Sequence, residues 1–192
     1  MSATQPIKSR SQIKTLKDYF FYEKKNYRDY TLICLGMNSA LRISDLLQLR
    51  WNDVYEFKTG RFREHISITE KKTQKQTWIA MNSNASNALK EYLLHIPFPS
   101  EESFIFPGQK PDAPLSRSQA FRIIKSAGEQ LHFNTPISCH SLRKTFGYHA
   151  WKAGTPPAVL MAIYNHSSYQ ITKHYLGIDQ DDKDSVFLHI NL

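Results

Sequence analysis

Four stretches of this chain carry residue types that can do chemistry on a phosphate. In His140-Ser141-Leu142-Arg143 an imidazole and a guanidinium lie three positions apart. On a helix that spacing puts them on one face, so Leu142 and Phe146 can turn to a core while His140 and Arg143 turn to a cleft. A guanidinium fork beside a titratable ring suits a phosphate whose ester bond is changing. Arg42 sits among Leu41, Ile43, Leu46, Leu47 and Leu49. A cation in so apolar a setting wants a carboxylate or a bound anion, and Asp45, three residues on, is a candidate orienting partner. Lys72 lies in the polar run Glu70-Lys71-Lys72-Thr73-Gln74-Lys75-Gln76, where a swinging ammonium can protonate a leaving alkoxide. Lys71 and Lys75 compete for that role, and spacing alone does not decide. The last stretch, Tyr164 to Tyr175, holds His166, a donor to a phosphate oxygen or a helix cap. It also holds Tyr175, a candidate covalent nucleophile. The chain has ten tyrosines, for which packing is the ordinary duty, and Tyr164 and Tyr169 are rival nucleophiles.

These groups need helices to hold them. Ser9 or Ser11 can cap a first helix bearing Ile13, Leu16 and Phe20. A second helix is predicted over Tyr27 to Met37, and a short one capped by Ser44. The period then changes. Trp51 to Phe57, Arg63 to Thr69 and Thr77 to Met81 read as strands of a small antiparallel sheet, with the lysine-rich turn between the last two. Ser83 and Ser116 cap further helices, separated by a proline-marked loop. Cys139 to Ala153 is predicted helical with Gly154 as its stop, and Thr155-Pro156 opens the next helix. The fold class expected is mainly α with a small antiparallel sheet. Residues 1–8 read as a flexible tail, 9–178 as one domain, and 179–192 as a tail with apolar residues after an acidic linker.

Composition narrows the partners. The chain has 192 residues, 41% hydrophobic and 22% charged, which describes an ordinary globule rather than a disordered chain. Lysine and arginine number 25 against 17 acidic residues, a net charge of +8 that favours a polyanion, most commonly nucleic acid. Cys34 and Cys139 are too few for a disulfide scaffold or a four-cysteine zinc site. No apolar run approaches the roughly 20 residues needed to span a bilayer, and the first twenty residues lack a signal-peptide core. A cytoplasmic, nucleoid-associated protein is expected.

The order of these motifs is more specific than any one of them. Ala40-Leu41-Arg42-Ile43-Ser44-Asp45-Leu46, His140-Ser141-Leu142-Arg143-Lys144-Thr145-Phe146 and His166-Ser167-Ser168 through Tyr175-Leu176 resemble the tyrosine recombinase, or phage integrase, family. The resemblance covers residues 10 to 178. It implies that Arg42 and Arg143 clamp the scissile phosphate, with His140 and His166 at the family's two histidine positions. It makes Tyr175, nine residues after His166, the nucleophile, with Asp45 in a supporting role, and it matches Lys72 best to the family's hairpin lysine. Lys71, Lys75 and Lys144 are expected to bind DNA. Three positions depart from the pattern: Asn165 replaces a usual glycine, Lys144 a frequent histidine and Ser39-Ala40 a frequent Thr-Gly. In length the chain resembles catalytic-domain-only members such as fimbrial phase-variation invertases.

The resemblance implies a site-specific recombinase that cuts and rejoins DNA through a 3′-phosphotyrosine, with no metal, ATP or other cofactor. Its partners would be double-stranded DNA, further copies of itself in a tetrameric synaptic complex, and accessory DNA-bending proteins. No paired-carboxylate metal site and no Gly-Lys-Ser/Thr phosphate loop is legible. Rival readings are a DNA-relaxing enzyme like the type IB topoisomerases and a DNA-binding regulator that kept the fold.

Overall fold

The computed structural model describes residues 4–69, 76–110 and 112–190. Helix α1 (Arg10–Asp18) starts where Ser9 accepts the Gln12 amide, as the sequence predicts, and runs on into a π-helical turn, Tyr19–Glu23. Helix α2 (Tyr27–Asn38) is the centre of the molecule. Thr31 through Met37 are all buried, the signature of a helix surrounded by protein rather than half-exposed. It packs against α5 (Ser83–Leu94) and α7 (Cys139–Lys152). Gly36 permits the second of these approaches, because a Cβ there would lie 2.7 Å from a Leu142 methyl.

Two short helices and two hairpins follow α2 among the described residues. Helix α3 (Ile43–Leu46) is capped by Arg42, whose carbonyl accepts the Asp45 and Leu46 amides, and not by Ser44. Trp51–Val54, expected as strand, is instead helix α4. The Asp53 carboxylate accepts the Arg50 amide at 2.7 Å, and Trp51 and Val54, three apart, both turn into the core. The sheet is two separate antiparallel hairpins. One pairs β1 (Tyr55–Glu56) with β2 (Arg61–Phe62). The other pairs β3 (His65–Thr69) with β4 (Gln76–Ala80), His65 opposite Ala80 and Thr69 opposite Gln76. The α5 cap is Asn82, one residue before the expected Ser83, and α6 (Arg117–Gln130) is capped by Ser116 as expected.

The carboxyl-terminal third is a set of short helices on α7. Helix α8 (Pro157–Tyr164) begins behind Pro156, α9 (Tyr169–Leu176) is capped by Ser168, and α10 (Asp179–His189) continues beyond Gly177. A small core of Ala40, Tyr148, Tyr164, Leu176 and Ile178 joins α7, α8 and α9 to the segment before α3. The last segment, expected as an acidic linker and tail, is thus helical, and Phe187 and Leu188 are about four-fifths exposed. The other end also departs from expectation. From Thr4 the amino-terminal residues are a packed strap, not a loose tail: Ile7 is buried and its amide donates to the Thr145 hydroxyl at 2.9 Å. Among the described residues no helix is long and apolar enough to cross a membrane.

Candidate active site

Helix α7 delivers two of the expected groups. Ser138 caps it by accepting the His140 amide, which sets His140 in the first turn near the positive end of the helix. Arg143, one turn on, is buried, which its charge tolerates only with good partners. One partner is Tyr164: the Arg143 guanidinium lies 4.9 Å over the Tyr164 ring, and the Tyr164 hydroxyl donates to the Arg143 carbonyl at 2.7 Å. Tyr164 fits there because residue 147 is glycine; a Cβ would stand 2.5 Å from the phenol oxygen.

The stop of α8 then aims His166. Asn165 adopts φ 53° and ψ 48°, the left-handed conformation that asparagine tolerates, and the His166 amide reaches back to the Met161 carbonyl at 3.0 Å. The His166 ring lies 5.3 Å from the Tyr175 ring and 5.5 Å from that of Tyr164, and Tyr164 and Tyr175 are 5.4 Å apart. The Thr172 hydroxyl donates to the Ser168 carbonyl at 3.3 Å and pairs with His166 Nδ1 at 3.1 Å. A hydroxyl has one proton, so Nδ1 is the donor to it, and in the neutral ring Nε2 is the free acceptor.

Arg42 completes the cluster from α3. It lines one cleft of about 380 Å³ with Asp45, Trp78, Asn82, Arg143 and Asn165. Asp45 is buried, with the Ser44 hydroxyl 3.5 Å from its carboxylate. Ala40, just upstream, holds a positive φ of 54°. Electrostatics tie the pieces together. Burial, then the charges of Arg143 and Arg42, push His166 below the usual histidine range. Burial, then Lys144, Arg143 and Arg117, do the same to His140. Burial raises Tyr175 above an ordinary phenol, while Arg143 and Arg42 pull it back.

The structure therefore brings Arg42, Asp45, His140, Arg143, His166 and Tyr175 to one region. Tyr164, considered above as a rival nucleophile, is buried with its hydroxyl committed to a carbonyl, and burial raises its pKa further. Lys144, expected to bind DNA, is half-buried and donates to the Thr4 carbonyl at 2.8 Å. The candidate lysines Lys71, Lys72 and Lys75 lie outside the described residues. Among the described residues no three His, Cys, Asp or Glu side chains cluster as metal ligands would. What sequence reading missed is Tyr164 as a hub. Its one signal was its place two residues before His166.

Residues 9–181 match the model of the phage integrase family. A probable integrase/recombinase, YoeC of Bacillus subtilis, is 39% identical over 181 residues, covering 94% of this chain and 93% of that protein. Against several other curated integrases and recombinases the chain spans between 43% and 63% of their length. The fold is similar to that of XerA recombinase, with TM-score 0.74 and 20% identity over 98% of this chain and 66% of that one. It is also similar to the Tn1549 transposon integrase in complex with a circular intermediate DNA, with TM-score 0.67 and 21% identity over 91% and 62%.

Proposed function

Because this chain belongs to the phage integrase family of tyrosine recombinases, we propose that it exchanges DNA strands at a specific site through a covalent bond between Tyr175 and a 3′-phosphate. One observation carries the reading. Arg42 and Arg143 line one cleft, and the Tyr164 ring that lies 4.9 Å beneath the Arg143 guanidinium is 5.4 Å from the Tyr175 ring, which puts the phenol beside two guanidiniums able to hold a phosphate.

A phosphodiester resists nucleophiles because its own charge repels them. Arg42 and Arg143 neutralise that charge as the five-coordinate transition state forms, and His140 donates to a non-bridging oxygen. Asp45, buried on α3, orients the Arg42 side of the clamp. In the free protein the phenol is protonated, since burial raises it. A bound phosphate displaces water, and the phenol proton needs an acceptor. We assign that role to Nε2 of His166, whose ring lies 5.3 Å from the Tyr175 ring. Attack on phosphorus forms the tyrosyl ester and breaks the bond to the 5′-oxygen, which takes a proton from Lys72 as it leaves and becomes a 5′-hydroxyl. The ester keeps the bond energy, so a second 5′-hydroxyl rejoins the strand without ATP and without a metal.

DNA is the partner that the charge of +8 and the DNA-bound structural relative both favour. Strand exchange needs several sites at once, and the exposed Val186, Phe187 and Leu188 of α10 suit docking on a neighbouring copy in a tetramer. Accessory DNA-bending proteins and a nucleoid location complete the reading. If removing 182–192 leaves assembly on DNA unchanged, the docking role is wrong.

The test is a duplex pool with randomised flanks around one 5′-bridging phosphorothiolate, whose thiol leaving group blocks resealing. An SDS-resistant adduct that disappears in Tyr175→Phe is the expected result. An adduct that survives Tyr175→Phe refutes the assignment, and supercoil relaxation without exchange favours the topoisomerase-like reading.

A further inference from the structure

Lys144 follows Arg143 on α7, yet its ammonium points to the amino-terminal strap and the tyrosine. It donates a 2.8 Å hydrogen bond to the Thr4 carbonyl and lies 5.2 Å from the centre of the Tyr175 ring. The strap is itself fixed. The Ile7 amide donates to Thr145, the Ile7 carbonyl pairs with His149 Nε2 at 3.1 Å, and Ile7 is buried. The strap also passes Gly177, two residues beyond Tyr175, where a Cβ would meet the Gln5 amide oxygen at 2.5 Å. It thus grips α7 on one side and the end of α9 on the other.

A half-buried ammonium one residue from a buried guanidinium is electrostatically expensive. A carbonyl acceptor and an aromatic face are the two groups here that offset it, and both are used. The consequence runs the other way as well: a cation anchored to main chain holds the ring beneath it. We infer that Lys144 is a positioning residue for the nucleophile, locking the Tyr175 ring between α7 and the Thr4–Lys8 strap. This rests on the reading of Tyr175 as nucleophile. It assigns the strap a task, since displacing Thr4 removes the anchor of the ammonium. The length of the lysine side chain lets it reach both the carbonyl and the ring.

The experiment uses the whole chain with 3-fluorotyrosine at position 175, read by fluorine NMR without DNA, in Lys144→Met, Lys144→Gln and Lys144→Arg. The Met and Gln variants should broaden and shift the signal, and Arg should restore it. On the phosphorothiolate duplex pool, Met and Gln should slow adduct formation roughly ten- to hundred-fold, the scale of a misplaced reacting group, with DNA retention unchanged. An unaltered fluorine signal with an unaltered rate in both variants overturns the inference while leaving the function standing. An adduct that survives Tyr175→Phe overturns the nucleophile assignment and the inference with it.

Discussion

The hydroxyl of Tyr164 donates to the carbonyl of Arg143 at 2.7 Å while the guanidinium of the same arginine lies 4.9 Å over the Tyr164 ring. One buried side chain thus holds Arg143 at both ends, main chain and charge. The same ring lies against His166 and Tyr175. Any error in Tyr164 is shared by three groups of the site.

Tyr164→Phe deletes the hydrogen bond and keeps the ring, and should lower stability by about 1 kcal/mol. Tyr164→Leu removes the ring and leaves a void beside Gly147, with a cost of about 2–4 kcal/mol. Urea unfolding measures both. Adduct formation should fall more in Leu than in Phe, because only Leu releases Arg143, His166 and Tyr175 together.

Thr172→Val tests the tautomer of His166. Threonine takes the Nδ1 proton in the native site, and valine cannot. Nitrogen-15 shifts should show Nδ1–H in the parent and a mixture weighted to Nε2–H in the variant. A parent ring already protonated at Nε2 contradicts the assigned hydrogen bond and its role as acceptor.

His140 and His166 both have depressed pKa values in the folded chain, with burial the first cause. The unfolded chain therefore binds protons at these rings more tightly than the folded one. Stability should be complete above about pH 6.5, the ordinary histidine value, and decline as pH falls below it. Replacing both rings by glutamine should flatten that part of the pH–stability curve. Lys144→Met should raise the titration of His140, because Lys144 is the leading charge acting on it. Proton NMR of the imidazole carbons reads this directly.

Ala40 occupies a left-handed conformation at φ 54°, where a Cβ is strained. Ala40→Gly should raise stability by about 1 kcal/mol or less, the strain relieved being partly offset by the freedom glycine adds to the unfolded chain. At Asn165, also left-handed, Asn165→Val should lower stability by at least about 1 kcal/mol and disturb His166 through the helix stop. Thermal unfolding distinguishes the two signs.

The mainly helical class, the cap Ser116 and a first-helix cap at Ser9 or Ser11 were legible in the sequence, because each depends on a few neighbouring residues and their backbone preferences. Arg42, Asp45, His140, Arg143, His166 and Tyr175 were singled out by the order of motifs that resemble the phage integrase family, since each taken singly is also an ordinary core or surface residue. Trp51–Val54 was misread as strand because apolar residues spaced for one helical turn look much like a short strand, and only burial beside Asp53 decides between them. The strap at Thr4–Lys8, the hub at Tyr164 and the inward ammonium of Lys144 belong to the tertiary structure alone. Each is made by contacts between residues far apart in the chain, Thr4 with Lys144 and Ile7 with Thr145, and no local pattern records which distant surface will cover a side chain.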